Sequence, residues 1–189
     1  MDEVAESAVR EQIKEYEELL KDKALSGRDI IKTLEKQKAR REEKLKDLLA
    51  EDKKDDGLVF DELGVDQIFY DESRAGKNLE VATKMDRVAG IQTGGSERAF
   101  DLYMKARYLG ENCPGHGVVF ASGTPISNSM VEMNTQCRYL DPEGLESRGI
   151  DHFDAWAASF GEVVDTMEIS PDGASLRARS RFAKFLNLP

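Results

Sequence analysis

The sequence predicts an α/β fold in which parallel strands with crossover helices are preceded by an antiparallel helical hairpin. Three observations carry the prediction. Two short apolar runs, Val65–Tyr70 and Gly117–Ala121, each end in a polar turn. One helix-periodic segment lies between the runs and another comes after the second. That alternation makes the strands parallel, because a crossover helix returns the chain to the same end of the sheet. Ahead of them, 31 of the first 56 residues are charged and none is proline, the make-up of long solvated helices and not of a packed α/β core.

Ala5, Val9, Ile13, Tyr16 and Leu20 recur every three or four residues, so the first helix buries one narrow face. Leu25-Ser26-Gly27-Arg28 interrupts it. A second helix comes next, with Ile31, Leu34, Leu45 and Leu48 on its seam. Lys38 and Arg41 share that seam, where their aliphatic stems cover a partner while the charged ends reach water. The pair forms a hairpin over residues 1–56, either a solvated structural arm or a partner-binding surface. Residues 57–150 form the α/β lobe. A polar linker, Glu51–Gly57, and Asp61-Glu62-Leu63-Gly64 lead into its first strand, and Lys77–Gly95 has no clear period and reads as loop with a short helix at most. Ser96 is placed to cap a helix over Glu97–Leu109 with Phe100, Tyr103, Met104 and Arg107 along one side. The turn Cys113-Pro114-Gly115-His116 feeds the second strand. Ser127 or Asn128 caps a helix through Met130, Met133, Cys137 and Tyr139, which Asp141-Pro142 and Gly144 stop. In residues 151–189, Asp151 caps a short helix burying Phe153, Trp156, Ala157 and Phe160. A β-hairpin completes the chain, Glu162–Ser170 and Ala174–Phe182, about the turn Pro171-Asp172-Gly173.

Composition narrows the function classes. A net charge of −10 disfavours non-specific binding to the phosphate backbone of nucleic acid. Cys113 and Cys137 are too few for a disulfide framework and their spacing fits no zinc site, so they read as reduced thiols of a cytoplasmic protein. No apolar run approaches the ~20 residues that span a bilayer, and no membrane partner is expected.

The chemistry is concentrated at the strand ends. Asp71 and Glu72 are adjacent carboxylates at the carboxyl end of the first run, where open α/β sheets bind ligands. Asp71 can hold Mg²⁺ and Glu72 can orient or deprotonate an attacking water. Arg177, Arg179 and Arg181 alternate along the last strand and so share one face. They can contact phosphate or a partner, or simply protect an exposed edge. Other candidates are weaker. Cys113 and His116 lie in a turn unsuited to a nucleophile and base. His152 opens a helix as a packing or capping residue, Met130 and Met133 are core, and Ser122 and Thr124 have no histidine placed beside them.

Asp71-Glu72-x-x-x-x-Lys77-Asn78 resembles the D-E-A-H-x-x-K-N form of the second motif of Swi/Snf-type DEAH-motif helicases and translocases of helicase superfamily two. Ser122-Gly123-Thr124-Pro125-Ile126-x-Asn128 resembles their third motif, and the stretch from Glu132 to Leu140-Asp141-Pro142 is similar to the segment immediately after that motif. The match is closest to the large helicase-methylase proteins of phages and mobile elements. In those, a charged helical stretch also precedes the acidic strand, and segments like His152-Phe153-Asp154-Ala155-Trp156 and Arg181-Phe182-Ala183-Lys184-Phe185 lie beyond it. The resemblance implies a partial RecA-like lobe. It gives Asp71 and Glu72 the roles of Mg²⁺ ligand and catalytic carboxylate, and makes Arg74, Lys77, Ser122, Gly123 and Thr124 the positions that couple the nucleotide to the third motif.

The chain departs from the pattern in two ways. Ser73-Arg74 stands where the family has Ala-His, and Arg74 is expected to pair with Asp71 or Glu72 at the metal position. No G-x-x-x-x-G-K-[ST] phosphate loop occurs in the 189 residues, and no counterpart of the second lobe with its arginine fingers. The reading is therefore of a truncated helicase-derived protein of a phage or mobile element, inactive alone and needing no cofactor as it stands. It would act by gripping a host or element-encoded protein, for example as an anti-CRISPR-like inhibitor of a nuclease defence system. The alternative is a fragment of an ATP-dependent DNA helicase or translocase, working with Mg-ATP and with DNA through its parent enzyme.

Overall fold

The computed structural model describes residues 2–22, 27–50, 60–85, 88–91, 94–113, 116–127, 129–170 and 175–186. The expected linker Glu51–Gly57 lies outside these residues, as do Pro114, Gly115 and Asn128 and the turn Pro171-Asp172-Gly173. Leu25 and Ser26 of the interruption after the first helix do so too.

Helix α1 (Asp2–Lys21) and helix α2 (Arg28–Ala50) form the expected antiparallel pair. Glu17 of α1 meets Lys38 of α2 at 3.0 Å, and Tyr16 packs with Leu34, Ile30, Leu19 and Leu20. The pair is no free arm. The stripe residues Ala5 and Val9, joined by Ala8, share a core with Phe100, Leu102, Tyr103 and Ala106, and Leu45 and Leu48 pack against that core. Arg41 corrects the expectation of a charged end in water. It is 4% exposed, and its guanidinium pairs with the equally buried Glu80. Glu80 also accepts the Tyr16 hydroxyl at 2.5 Å, and the Arg41 guanidinium lies 5.2 Å from the Phe100 ring centre. Burial, and then the charge of Glu80, push the Tyr16 hydroxyl well above its ordinary pKa, so it stays a donor.

Glu80 belongs to the stretch read as loop, and loop it is, but not a surface one. Leu79, Glu80, Val81, Ala82 and Thr83 are all buried. Its polar groups have partners from three sides. The Asn78 carbonyl accepts from Ser96 N at 2.9 Å, the Glu80 carbonyl from Arg138 at 2.8 Å, and Asp154 accepts the Thr83 hydroxyl and, at 3.0 Å, Lys84 N. Such pairing is what permits irregular backbone inside a core.

Strands β1 (Ile68–Asp71) and β2 (Val118–Ala121) pair in parallel, with Ile68 opposite Val118 and Asp71 opposite Ala121. Helix α3 (Glu97–Asn112) is the crossover, capped as expected by the Ser96 hydroxyl, which accepts from Ala99 N at 3.2 Å. Tyr70 and Phe120 turn inward toward Tyr139. The opposite face is bare, with Phe69 74% and Val119 41% exposed, so the strand expected to be buried is covered on one side only.

Helix α4 (Val131–Leu140) starts later than expected. Ser129, not Ser127, accepts from the first-turn Val131 N, at 3.2 Å. Asp141-Pro142 ends it but also begins helix α5 (Pro142–Ser147), because the Asp141 carboxylate accepts from Gly144 N at 3.0 Å. In helix α6 (Phe153–Phe160) the capping position is His152 and not Asp151. Phe153, Trp156 and Ala157 are buried as expected. Strands β3 (Gly161–Ile169) and β4 (Leu176–Phe185) form the antiparallel hairpin, anchored at its base by Phe182 on Phe153 and Trp156. Gly161 is required there, because the Phe182 ring stands where a Cβ would be. Cys113 and Cys137 are free thiols.

His152 ties α1 to this end of the chain. Its ring lies 3.3 Å from Glu15 and 3.5 Å from Glu18. The hydrogen bond to Glu15, aided by the surrounding carboxylates and opposed by desolvation, leaves its pKa pushed up to about 9.

Arg41→Met is expected to cost about 3–5 kcal/mol in urea denaturation, since it leaves Glu80 charged and buried; Arg41→Met with Glu80→Met recovers most of the loss. His152 has a folded pKa above its unfolded one, so its contribution is complete below pH ~6.5 and fades as pH rises through about 9. The ring is half-exposed, and screening holds that contribution to at most ~1 kcal/mol. Melting temperature measured at pH 7 and pH 10 should therefore fall more in the native chain than in His152→Gln.

Candidate functional site

Register brings the two motif-bearing segments together. Asp71 and Ala121 are opposite one another at the carboxyl ends of parallel strands, so Glu72 and Ser122 leave the sheet side by side. This is the edge at which open α/β sheets take ligands. Asp71 is exposed and accepts from Glu72 N at 2.9 Å. Glu72 is exposed and holds a left-handed backbone, φ 53° and ψ 56°, as the single non-glycine with positive φ among the described residues. That conformation carries strain for a side-chain-bearing residue and recurs at functional turns. A tight helical turn, Ser73–Gly76, comes directly after it.

Arg74 does not do what the sequence suggested. Its side chain is exposed and forms no ion pair with Asp71 or Glu72 among the described residues. Lys77 points instead to helix α4, where its ammonium sits 3.2 Å from Glu132 and 3.3 Å from the Ser127 hydroxyl. Glu132 is 7% exposed, and its second oxygen accepts from Ser127 N at 2.6 Å. The lysine after the acidic pair and the loop after β2 are thus held by one buried carboxylate. Ser122 accepts from Thr124 N at 3.2 Å, giving that loop a local turn, and Gly123 and Thr124 are exposed.

Tyr139, one helical face further on, fixes the other side. Its hydroxyl lies 2.9 Å from the Gly76 carbonyl and 2.8 Å from the Ala99 carbonyl. Gly76 packs closely here, since an added Cβ would stand 2.9 Å from Leu102 Cδ2 and displace that side chain. Between the two motifs remains a cavity of about 10 Å³ lined by Lys77, Glu132, Thr135, Gln136 and Tyr139. Thr135 lines it and has a buried hydroxyl without a partner, and the space suits one water.

A family model described as a probable helicase domain matches residues 2–189. The chain belongs to that family. No curated protein and no solved structure matches it. In this helicase domain the donor set at the strand ends fits a magnesium ion in part, because Asp71 keeps one carboxylate oxygen clear of its neighbours and Mg²⁺ needs only one or two carboxylates beside phosphate oxygens. It does not fit a triphosphate. Lys77 is committed to Glu132, which leaves Arg74 as the cation near the strand ends among the described residues. The arginines of β4 belong to another sheet. Arg177, Arg179 and Arg181 do share one face, but Glu168 of β3 lies among them, at 3.5 Å from Arg179 and 2.5 Å from Arg181.

Reading the sequence missed Glu132 and Tyr139 as site residues. The signal for Glu132 was its place on the stripe Val131, Thr135 and Tyr139, where a carboxylate on a buried helix face demands a cation. No helix among the described residues is long and apolar enough to cross a membrane.

Glu132→Gln is expected to leave the Lys77 ammonium and Ser127 N poorly paired and to cost about 1–3 kcal/mol by denaturant titration. Amide exchange should speed up selectively over residues 122–127, and a uniform change along the chain would show that the pair does not hold that loop.

Proposed function

We propose that this helicase domain supplies the acidic and coupling motifs of a RecA-like lobe in an ATP-dependent DNA helicase or translocase, and that the 189 residues do not turn over ATP unaided. One observation carries the reading. Asp71-Glu72 and Ser122-Gly123-Thr124 sit at adjacent ends of parallel strands in one register, with Lys77–Glu132 bridging the segments behind them. Asp71 would hold the metal beside the phosphates, and Glu72 would face the attacking water. Phosphoryl transfer depends on cations that spread over the transferring group, and a phosphate loop and arginine finger are needed to supply them. No G-x-x-x-x-G-K-[ST] phosphate loop occurs in this sequence, and an arginine finger would come from a second lobe. The competing idea of a stand-alone inhibitor of a host nuclease draws on the net charge of −10 and on nothing in the geometry.

Phosphate release from ATP, measured with and without DNA, should stay at background for the chain, for Asp71→Asn and for Glu72→Gln. Turnover in the native chain that either substitution abolishes would overturn the inactivity and keep the helicase assignment. A stable complex with a host nuclease, isolated by pull-down and unaffected by both substitutions, would favour the inhibitor instead.

A further inference from the structure

Strand β4 reverses the charge of the chain. The net charge is −10, yet from Leu176 to Pro189 four Lys or Arg residues occur and no carboxylate. Three of them, Arg177, Arg179 and Arg181, stand exposed on one face of β4, and the register sets Glu168, Thr166 and Val164 of β3 beside them on that face. Three guanidiniums thus meet one carboxylate. Glu168 engages two of them, 2.6 Å from Arg181 Nε and 3.5 Å from Arg179. Arg177, directly opposite Glu168 in register, has no ion pair among the described residues.

Protection of a bare edge does not account for this face. The outer edge of β4 is already met at its base, where Ala89 N donates to the Ser180 carbonyl at 2.8 Å and Ala89 bridges to Arg181. Keeping another strand off an edge also needs charge only somewhere along it, not at every second residue of one face. The spacing points instead to a ligand. Residues two apart on a strand are about 6.8 Å from one another. That is close to the separation of successive phosphates along one strand of B-form DNA, so the row from Arg177 to Arg181 can follow a single backbone, each planar fork offering paired N–H donors to a phosphate. Beside the arginines the face presents Val164 and Thr166, and no aromatic ring on which an unstacked base could lie. A duplex, whose bases are already stacked, suits it better than a single strand.

We propose that Arg177, Arg179 and Arg181 bind the phosphate backbone of duplex DNA without reading its sequence. Glu168 opposes the contact, because it neutralises the forks of Arg179 and Arg181 and repels phosphate. The acidic remainder of the chain repels DNA as well, which confines binding to this strand. The surface lies on a different sheet from Asp71 and needs no nucleotide, so the inference goes beyond the proposed role of the strand ends. Background ATP turnover would leave it standing, and a failure to bind DNA here would leave the strand-end reading standing.

The test is fluorescence anisotropy of a labelled duplex of about 20 base pairs, titrated with the 189-residue chain between about 0.05 and 0.2 M salt. The duplex should bind saturably without ATP, and log Kd should rise against log salt concentration with a slope of about 3, as three phosphate contacts require. Arg177→Gln and Arg179→Gln should each weaken binding about threefold at the lower salt and reduce that slope by about 1. Glu168→Gln should tighten binding about threefold, since it removes the one carboxylate among the cations. Arg10→Gln with Lys14→Gln, which takes two cations from exposed positions of α1, should shift affinity by less than about twofold and leave the slope as it was. A slope that the β4 substitutions do not change, or a loss as large in the α1 control, would reduce the binding to general charge attraction and overturn the proposal. Weaker binding by Glu168→Gln would overturn it too. No saturable binding at the lower salt would do the same and leave the arginine face to a protein partner.

Discussion

The buried ion pair between Arg41 and Glu80, with Tyr16 as second donor, is the constraint on which the rest of the helicase domain depends. Glu80 lies in an irregular connector that passes between the helical hairpin, the start of α3 and the flank of α4. The connector has no ladder of its own, so neighbouring elements must satisfy its polar groups. Arg41 comes from α2, Tyr16 from α1 and Arg138 from α4, while Gly95 lets the chain before α3 approach so closely that a Cβ would lie 3.0 Å from Glu80 N. A buried pair of this kind adds little net stability compared with apolar packing. Its loss on one side alone is severe, and it fixes which segment the hairpin docks against.

That docking reaches the candidate site through α4. Arg138 holds the connector, and the next residue, Tyr139, holds the Gly76 carbonyl behind the acidic turn. Two turns earlier, Glu132 holds Lys77 and Ser127. One ten-residue helix therefore sets the height of both motif segments relative to the hairpin. These are contiguous contacts, and they explain placement. Transmission of a signal would require two arrangements of the helix, which is a separate claim.

The legible parts of this fold were those whose physics is local. The α1 stripe from Ala5 to Leu20, the Ser96 cap and the aromatic face of α6 arise from period and hydrogen-bond chemistry over a few residues. So does the arginine face of β4, because alternation alone decides which side a strand residue takes. What escaped was set by distant partners. Nothing near Arg41 in sequence says that Glu80 awaits it, and a long side chain on a helix seam is ordinarily solvated at its tip. The connector 79–83 has no period because it belongs to no ladder, so the aperiodic stretch Leu79-Glu80-Val81-Ala82-Thr83 read as loop, and nothing local showed that it is buried. Asp141-Pro142 was ambiguous for a different reason. Asp and Pro end one helix and start another by the same backbone preferences, and only the fold decides which.

On the proposed function, the bare sheet face and the lack of a phosphate-loop motif in this sequence are two aspects of one deficiency. Parallel strands in α/β proteins are normally covered on both faces, because the crossover connections lay helices on each side. Here α3 and α4 cover the face of Tyr70 and Phe120, while Phe69 and Val119 stand together on the other, exposed and in register. In phosphate-binding βαβ units the helix whose amino terminus cradles the phosphates packs against the sheet. Supplying such a unit would bury Phe69 and Val119 and bring donors to the strand ends near Asp71. On that proposal, the missing phosphate-loop motif and the missing cover for Phe69 have a common remedy. That shared remedy supports reading this domain as part of a composite helicase site more strongly than either gap does alone.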